Sequence, residues 1–172
     1  MQFSKPRLRP ALLLVAIPML GLIISSTFLL GRIRADAPSA QLSVDLSERS
    51  LAVIENGDVV RTYPVAVGTA AHPTPTGNFQ TGQIVWNPGW NPPNSEWARG
   101  EKPRSPGDPK NPMRGVKIYF KPPAYFIHGT NAPASIGSAA SHGCIRMREG
   151  DATSLANWIE SNGGSVSIRI HD

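Results

Sequence analysis

A mainly β domain with one clear helix, carried behind an N-terminal membrane-spanning segment, is the fold class the sequence predicts. Three observations lead there. Residues 41–47, 51–54, 59–63, 116–120 and 165–170 are short apolar or alternating runs, the pattern of strands with one face buried. Only the stretch from Ala152 to Ser161 sets its apolar residues, Leu155, Trp158 and Ile159, on one helix face. Residues 11–31 form an apolar run that no charge interrupts.

That run follows a basic tail, residues 1–10, which carries Lys5, Arg7 and Arg9. At a rise of ~1.5 Å per residue it reaches about 30 Å, the thickness of a hydrocarbon core. A cleaved leader has a shorter apolar core, roughly 7–15 residues, before a small-residue site. Ala35-Asp36-Ala37 has the small-x-small form, but Pro38 follows it. The length therefore favours a retained anchor over 11–31 and a linker over 32–39. The basic residues before the run slightly outnumber Arg32 and Arg34 after it, which places the N-terminus in the cytoplasm and the rest of the chain outside.

Beyond the linker, Leu42, Val44 and Leu46 alternate along a first strand, and 51–54 and 59–63 supply a second and third. Asn56-Gly57 between the last two is a hairpin signal, because both turn positions must tolerate positive φ. Thr74-Pro75-Thr76-Gly77 reads as a turn, and Asn78 to Trp86 as a further strand. Residues 87–114 hold seven prolines with Trp90 and Trp97 and keep no apolar period. A connection of that length is a functional loop or a disordered one. Its tryptophans either flank a groove or pin the loop to the body. Two strands follow, 116–120 and 124–128, broken by Pro122-Pro123, and then a small-residue loop from Gly129 to Ala140. Asp151 is a good N-cap for the helix, Asn162-Gly163-Gly164 ends it, and Val166, Ile168 and Ile170 face inward on a last strand.

Composition removes several function classes. The formal net charge is +5, yet residues 38–172 hold 12 basic and 11 acidic groups. The basic excess belongs to the N-terminus, so the body has no stripe with which to bind nucleic acid. Hydrophobic residues at 40% argue against intrinsic disorder, and a single cysteine excludes an intrachain disulfide.

That cysteine lies in Ser141-His142-Gly143-Cys144-Ile145-Arg146. A thiolate is a strong nucleophile that needs a neighbouring base or cation to form at neutral pH. His142 is two residues away, and His128 closes a strand before the small-residue loop. Backbone N–H groups around Gly143 can point at one spot and stabilise an oxyanion. A Cys-His acyl-transfer site is one reading of these residues. A buried, inert cysteine is another. A third is a metal site of His128, His142 and Cys144 with His72 or His171, although the paired spacing of zinc sites is missing.

Ile127-His128-Gly129-Thr130, the spacer 131–140 and Ser141-His142-Gly143-Cys144-Ile145-Arg146 resemble the signature of the L,D-transpeptidase catalytic domain family (YkuD type). Val67-Gly68, Thr74-Pro75-Thr76-Gly77-Asn78-Phe79 and the Pro/Trp-rich segment 87–93 are similar to further segments of that family. The resemblance implies an L,D-transpeptidase-like β-sandwich over residues 40–171, the catalytic domain. It makes Cys144 the nucleophile and His128 the general base, with the Gly129 carbonyl orienting the imidazole. Ser141, His142 and Gly143 would shape the nucleophile loop and its oxyanion site. Arg146 would bind a substrate carboxylate or brace the loop. No metal or cofactor is implied. The partners are peptidoglycan stem peptides: the enzyme attacks the carbonyl of the diamino acid at stem position three, releases D-Ala and passes the acyl group to an amine. Hydrolysis of the same bond, an L,D-carboxypeptidase activity, is the alternative chemistry. A membrane-tethered peptidoglycan-binding protein without turnover is the alternative from another class.

Overall fold

Asn56 and Gly57 both adopt positive φ, 52° and 93°, the left-handed pair that a two-residue hairpin turn requires. They join β2 (Ser50–Glu55) to β3 (Asp58–Pro64), with Glu55 opposite Asp58. β1 (Ala40–Asp45) pairs antiparallel with β2 and, on its other side, parallel with β11 (Ser167–His171). β5 (Gly77–Gln80) completes this five-stranded sheet in the order β3-β2-β1-β11-β5. This is a computed structural model, and it describes residues 1–2 and 39–172. The membrane anchor expected over 11–31 lies outside the described residues. Among the described residues no helix is long and apolar enough to cross a membrane.

The second sheet has four strands in the order β10-β8-β7-β6: β6 (Ile84–Trp86), β7 (Arg114–Lys121), β8 (Tyr125–Gly129) and β10 (Ile145–Met147). The single strand expected from Asn78 to Trp86 is therefore two strands in different sheets. Thr81 and Gly82 make the transfer. The Thr81 N–H donates to the Val166 carbonyl beside the first sheet (2.9 Å), and the Gly82 N–H donates to the Tyr119 carbonyl in the second (2.7 Å). A period of two cannot reveal such a switch, because alternation continues through it.

Leu42, Val44, Leu51, Ile168 and Ile170 of the first sheet and Val116, Ile118, Ile127, Ile145 and Met147 of the second belong to one buried cluster. Each such side chain contributes about 1.5–3 kcal/mol by leaving water. The helix α1 (Glu149–Ser161) packs on β7 and β8 and adds Ala152, Leu155, Ala156 and Ile159 to that cluster. It begins two residues before the expected cap. Arg148 is the cap residue, and the Ala152 N–H donates to its carbonyl (3.0 Å). Asp151 lies in the first turn with Glu149, where negative charge complements the helix dipole. The indole N–H of Trp158 donates to Glu55 (2.6 Å) and ties the helix to the first hairpin.

Two short strands absent from the sequence reading build the site. β4 (Val67–Gly68) and β9 (Ala139–Ser141) form a two-stranded parallel sheet. β9 and β10 bracket residues 142–144, and β10 lies parallel to β8. The cysteine loop is thereby held beside the strand that carries His128.

Candidate active site

His128 is only 4% exposed, on β8. Its Nδ1 lies 2.9 Å from the Gly129 carbonyl oxygen, which can only accept, so Nδ1 carries the proton and donates. In the neutral ring Nε2 then holds the lone pair. Gly129 permits this close fit, since a Cβ there would run into the Arg114 carbonyl. Burial pulls the His128 pKa down to about 4; Arg146 and Lys117 act in the same direction, against the hydrogen bond to Gly129. The ring is accordingly a neutral base at ordinary pH.

The cysteine loop is self-braced. The Gly143 N–H donates to the Ser141 hydroxyl oxygen (3.1 Å), and that hydroxyl donates to the Cys144 carbonyl (2.6 Å). Gly143 has φ +103°, and a Cβ there would lie 2.7 Å from the Tyr125 ring, so two separate constraints select glycine. Because the Gly143 amide is engaged by Ser141, the amides left for an oxyanion are those of His142 and Cys144, which make no hydrogen bond among the described residues. The Cys144 thiol is half-buried, and its Sγ is 3.7 Å from the Ala124 carbonyl oxygen. Burial pushes its pKa up, while the Phe126 amide, Arg146 and Lys117 pull it down. Thiol and imidazole thus both favour their neutral forms in the free protein.

Cys144, His128, Ser141, His142 and Arg146 line one cavity of about 890 Å³, within the ~300–1,000 Å³ usual for ligand sites. The Pro/Trp-rich segment forms its wall: Trp90, Trp97 and Pro112 also line it. Trp97 stacks on His142, with ring centroids 4.0 Å apart, and His72 lies on the same imidazole at 4.9 Å. His171 is elsewhere, with its Nε2 3.0 Å from the Ser43 hydroxyl. Among the described residues no group of three or more His, Cys, Asp or Glu could hold a metal ion.

Sequence reasoning missed three contributors. Asn111 is buried in the wall, where its amide donates to the carbonyls of Pro88 (2.8 Å) and Ser105 (3.2 Å) and its oxygen accepts from the Met113 N–H (2.9 Å). Tyr119 and Lys117 line the cavity from β7. Lys117 pairs in register with His128, and His128 pairs with Arg146 on β10. The three side chains form one row across three strands, with the imidazole between two cations. Neither Lys117 nor Arg146 makes a side-chain hydrogen bond or an ion pair among the described residues. A bracing role for Arg146 through polar contacts is therefore not seen.

A family model described as the L,D-transpeptidase catalytic domain (YkuD) matches residues 39–168. The YkuD protein of Bacillus licheniformis, named as an L,D-transpeptidase, is 37% identical over 128 residues, covering 74% of this chain and 64% of that protein. The chain thus spans less than two thirds of that relative's length. Among solved structures, the catalytic domain of an Enterococcus faecium L,D-transpeptidase matches with a TM-score of 0.59 at 19% identity, covering 78% of this chain and 98% of that one. L,D-transpeptidase 3 of Mycobacterium tuberculosis, solved with a faropenem-derived adduct, matches with a TM-score of 0.58 at 15% identity, covering 79% and 61%. These structures share the fold, and the match over 39–168 carries the kinship: the chain belongs to the L,D-transpeptidase catalytic domain family.

Proposed function

We propose that the protein is a peptidoglycan L,D-transpeptidase that crosslinks stem peptides through a Cys144 thioester. The observation that carries this reading is the pairing in one cavity of the chain's only thiol with a buried imidazole whose Nδ1–H is tied to the Gly129 carbonyl. Cys144 Sγ attacks the carbonyl carbon of the diamino acid at stem position three as His128 Nε2 accepts the thiol proton. The His142 and Cys144 amides face the oxyanion that forms. Collapse breaks the C–N bond, His128 returns the proton to the departing D-Ala amine, and the acyl group stays on sulfur. An acceptor amine then attacks the thioester and gives its proton to His128; the C–S bond breaks, and His128 passes the proton to the departing sulfur, which restores the thiol. A neutral thiol-imidazole pair suits this order, because charge separates only during attack.

Residues 11–31 serve in this reading as a retained single-pass membrane anchor, with the catalytic domain on the extracytoplasmic side, where the murein lies. N-terminal sequencing of the mature protein checks that part: a start near Pro38 or Gln41 would mean a cleaved leader.

The test of the activity is mass spectrometry of stem tetrapeptides incubated with the protein, with and without an acceptor amine. Crosslinked product with loss of D-Ala is expected. Tripeptide alone would establish the carboxypeptidase instead. Faropenem, which forms an adduct with the mycobacterial relative, should add mass to this protein and not to its Cys144→Ala variant. A protein that binds stem peptides without product or adduct is a binding protein, and the proposal fails.

A further inference from the structure

Lys117 is held in a way that a solvent-facing strand lysine is not. Its ammonium lies 4.8 Å from the ring centroids of both Tyr119 and Phe126, so two aromatic faces fix the charge in place. It faces the same cavity as Cys144. Across β8, on the far side of His128, stands Arg146, a half-buried guanidinium. Lateral neighbours on a sheet have Cβ atoms roughly 4.5–5.5 Å apart, so the two cations flank one imidazole.

Nothing within the described residues balances them. Glu101, on the lining of the cavity, is engaged with Arg104 at 3.8 Å. Glu149 and Asp151 pair with Arg114 and Arg148. Two partly desolvated cations with free N–H donors, opening on a cavity, are complementary to an anion.

We infer that Lys117 is a specificity-determining residue, which together with Arg146 binds a free carboxylate of the acyl-donor peptide beside His128. The inference rests on the stem-peptide reading and sharpens it. On the two residues that flank the scissile bond a donor peptide offers two such groups: the carboxylate on the side chain of the diamino acid, and the terminal carboxylate of the departing D-Ala. A lysine-type donor, or one whose side-chain carboxyl is amidated, lacks the first. The bound anion would also offset the two positive charges acting on the imidazole and make His128 a stronger base when substrate is present. The site would then favour the donor twice, in binding and in proton transfer.

The test uses the full chain carrying Cys144→Ala, so that binding is read without turnover. Calorimetry measures three synthetic tetrapeptides: one with both carboxylates free, one amidated at the side chain and one amidated at the terminus. One of the two amidations should weaken binding by about tenfold or more, the loss of a charge-assisted contact, and so name the source. Adding Lys117→Met, which keeps the aliphatic stem between the two rings, should remove most of that discrimination, and Lys117→Arg should restore it. Equal affinity for all three peptides, or discrimination that survives Lys117→Met, overturns the proposal. Turnover by the wild-type chain is measured in parallel. Turnover without carboxylate preference would sink this inference and leave the transpeptidase reading standing. Carboxylate-dependent binding without turnover would do the reverse.

Discussion

Trp97 lies flat on His142, the two rings 8° from parallel with centroids 4.0 Å apart. The contact joins the Pro/Trp-rich wall to the cysteine loop on the lining of the cavity. Yet Trp97 remains 40% exposed, so it does little for the core. An aromatic pair of this kind is worth ~0.5–1.5 kcal/mol. Trp97→Ala should therefore lower kcat/KM by about 2- to 10-fold with little change in melting temperature. Trp97→Phe should keep most of the activity. A large fall in melting temperature with unchanged kinetics would make the tryptophan a pin for the loop and not a wall of the groove.

His128 and His142 offer the sharpest comparison between a base and a loop residue. His128 is buried and oriented through Gly129, whereas His142 is exposed, stacked on Trp97 and met by the tilted ring of His72. His128→Ala should reduce the acylation rate by at least ~10²-fold, the low end for a general base. His142→Ala should cost less, acting through loop shape. Stopped-flow acylation of the two variants decides the matter, and reversed losses would move the base to His142.

The legible parts of the molecule were those written in short stretches of chain. Asn56-Gly57 announced its hairpin because a two-residue turn leaves few alternatives. Val166, Ile168 and Ile170 showed their inward face by alternation. Cys144, His128 and Gly129 were legible because their residue types and spacing match a family signature. Lys117 was not. Its strand buries Val116, Ile118 and Phe120, and the opposite face of such a strand ordinarily meets solvent. Only the pairing of β7 with β8 and of β8 with β10 sets Lys117 beside His128 and Arg146, and register between distant strands is not encoded locally. The same holds for the division of residues 77–86 between two sheets.

The buried imidazole also has a thermodynamic consequence. Below about pH 6.5 the unfolded chain takes up a proton at His128, while the folded protein does not until about pH 4. A pKa lowered by folding means stability that is complete above pH 6.5 and declines as pH falls toward 4. The shift corresponds to about 3 kcal/mol across that window. Carboxylates such as Asp45, whose pKa is lowered by the Glu48 amide and the Ser47 hydroxyl, titrate in both the wild type and a His128→Gln variant. Their contribution cancels in the difference. Denaturant titrations at pH 7 and pH 4 should show the wild type losing more stability than His128→Gln; equal losses would mean that His128 is not buried neutral.

Asn111 tests whether the wall of the cavity is built or merely draped. It lies within a segment almost without regular structure, apart from the short 3₁₀ turn Glu96–Ala98 and the Trp90–Arg104 bridge. Its side chain is nonetheless 1% exposed and satisfies groups from three points along that segment: Pro88, Ser105 and Met113. Asn111→Ala leaves two carbonyls and one N–H without these partners, a cost of about 1–3 kcal/mol. Asn111→Asp should be worse despite its closer shape, because a carboxylate presents only acceptors to the Pro88 and Ser105 carbonyls. The lesion should also be local. Asn111 does not line the cavity, whereas Trp90, Trp97 and Pro112 do, so KM for a stem peptide should rise while alkylation of Cys144 by a small reagent such as iodoacetamide keeps its rate. Alkylation that slowed in step with peptide turnover would show that Asn111 supports the cysteine loop itself, and Asn111→Asp matching the wild type would remove the fastening role.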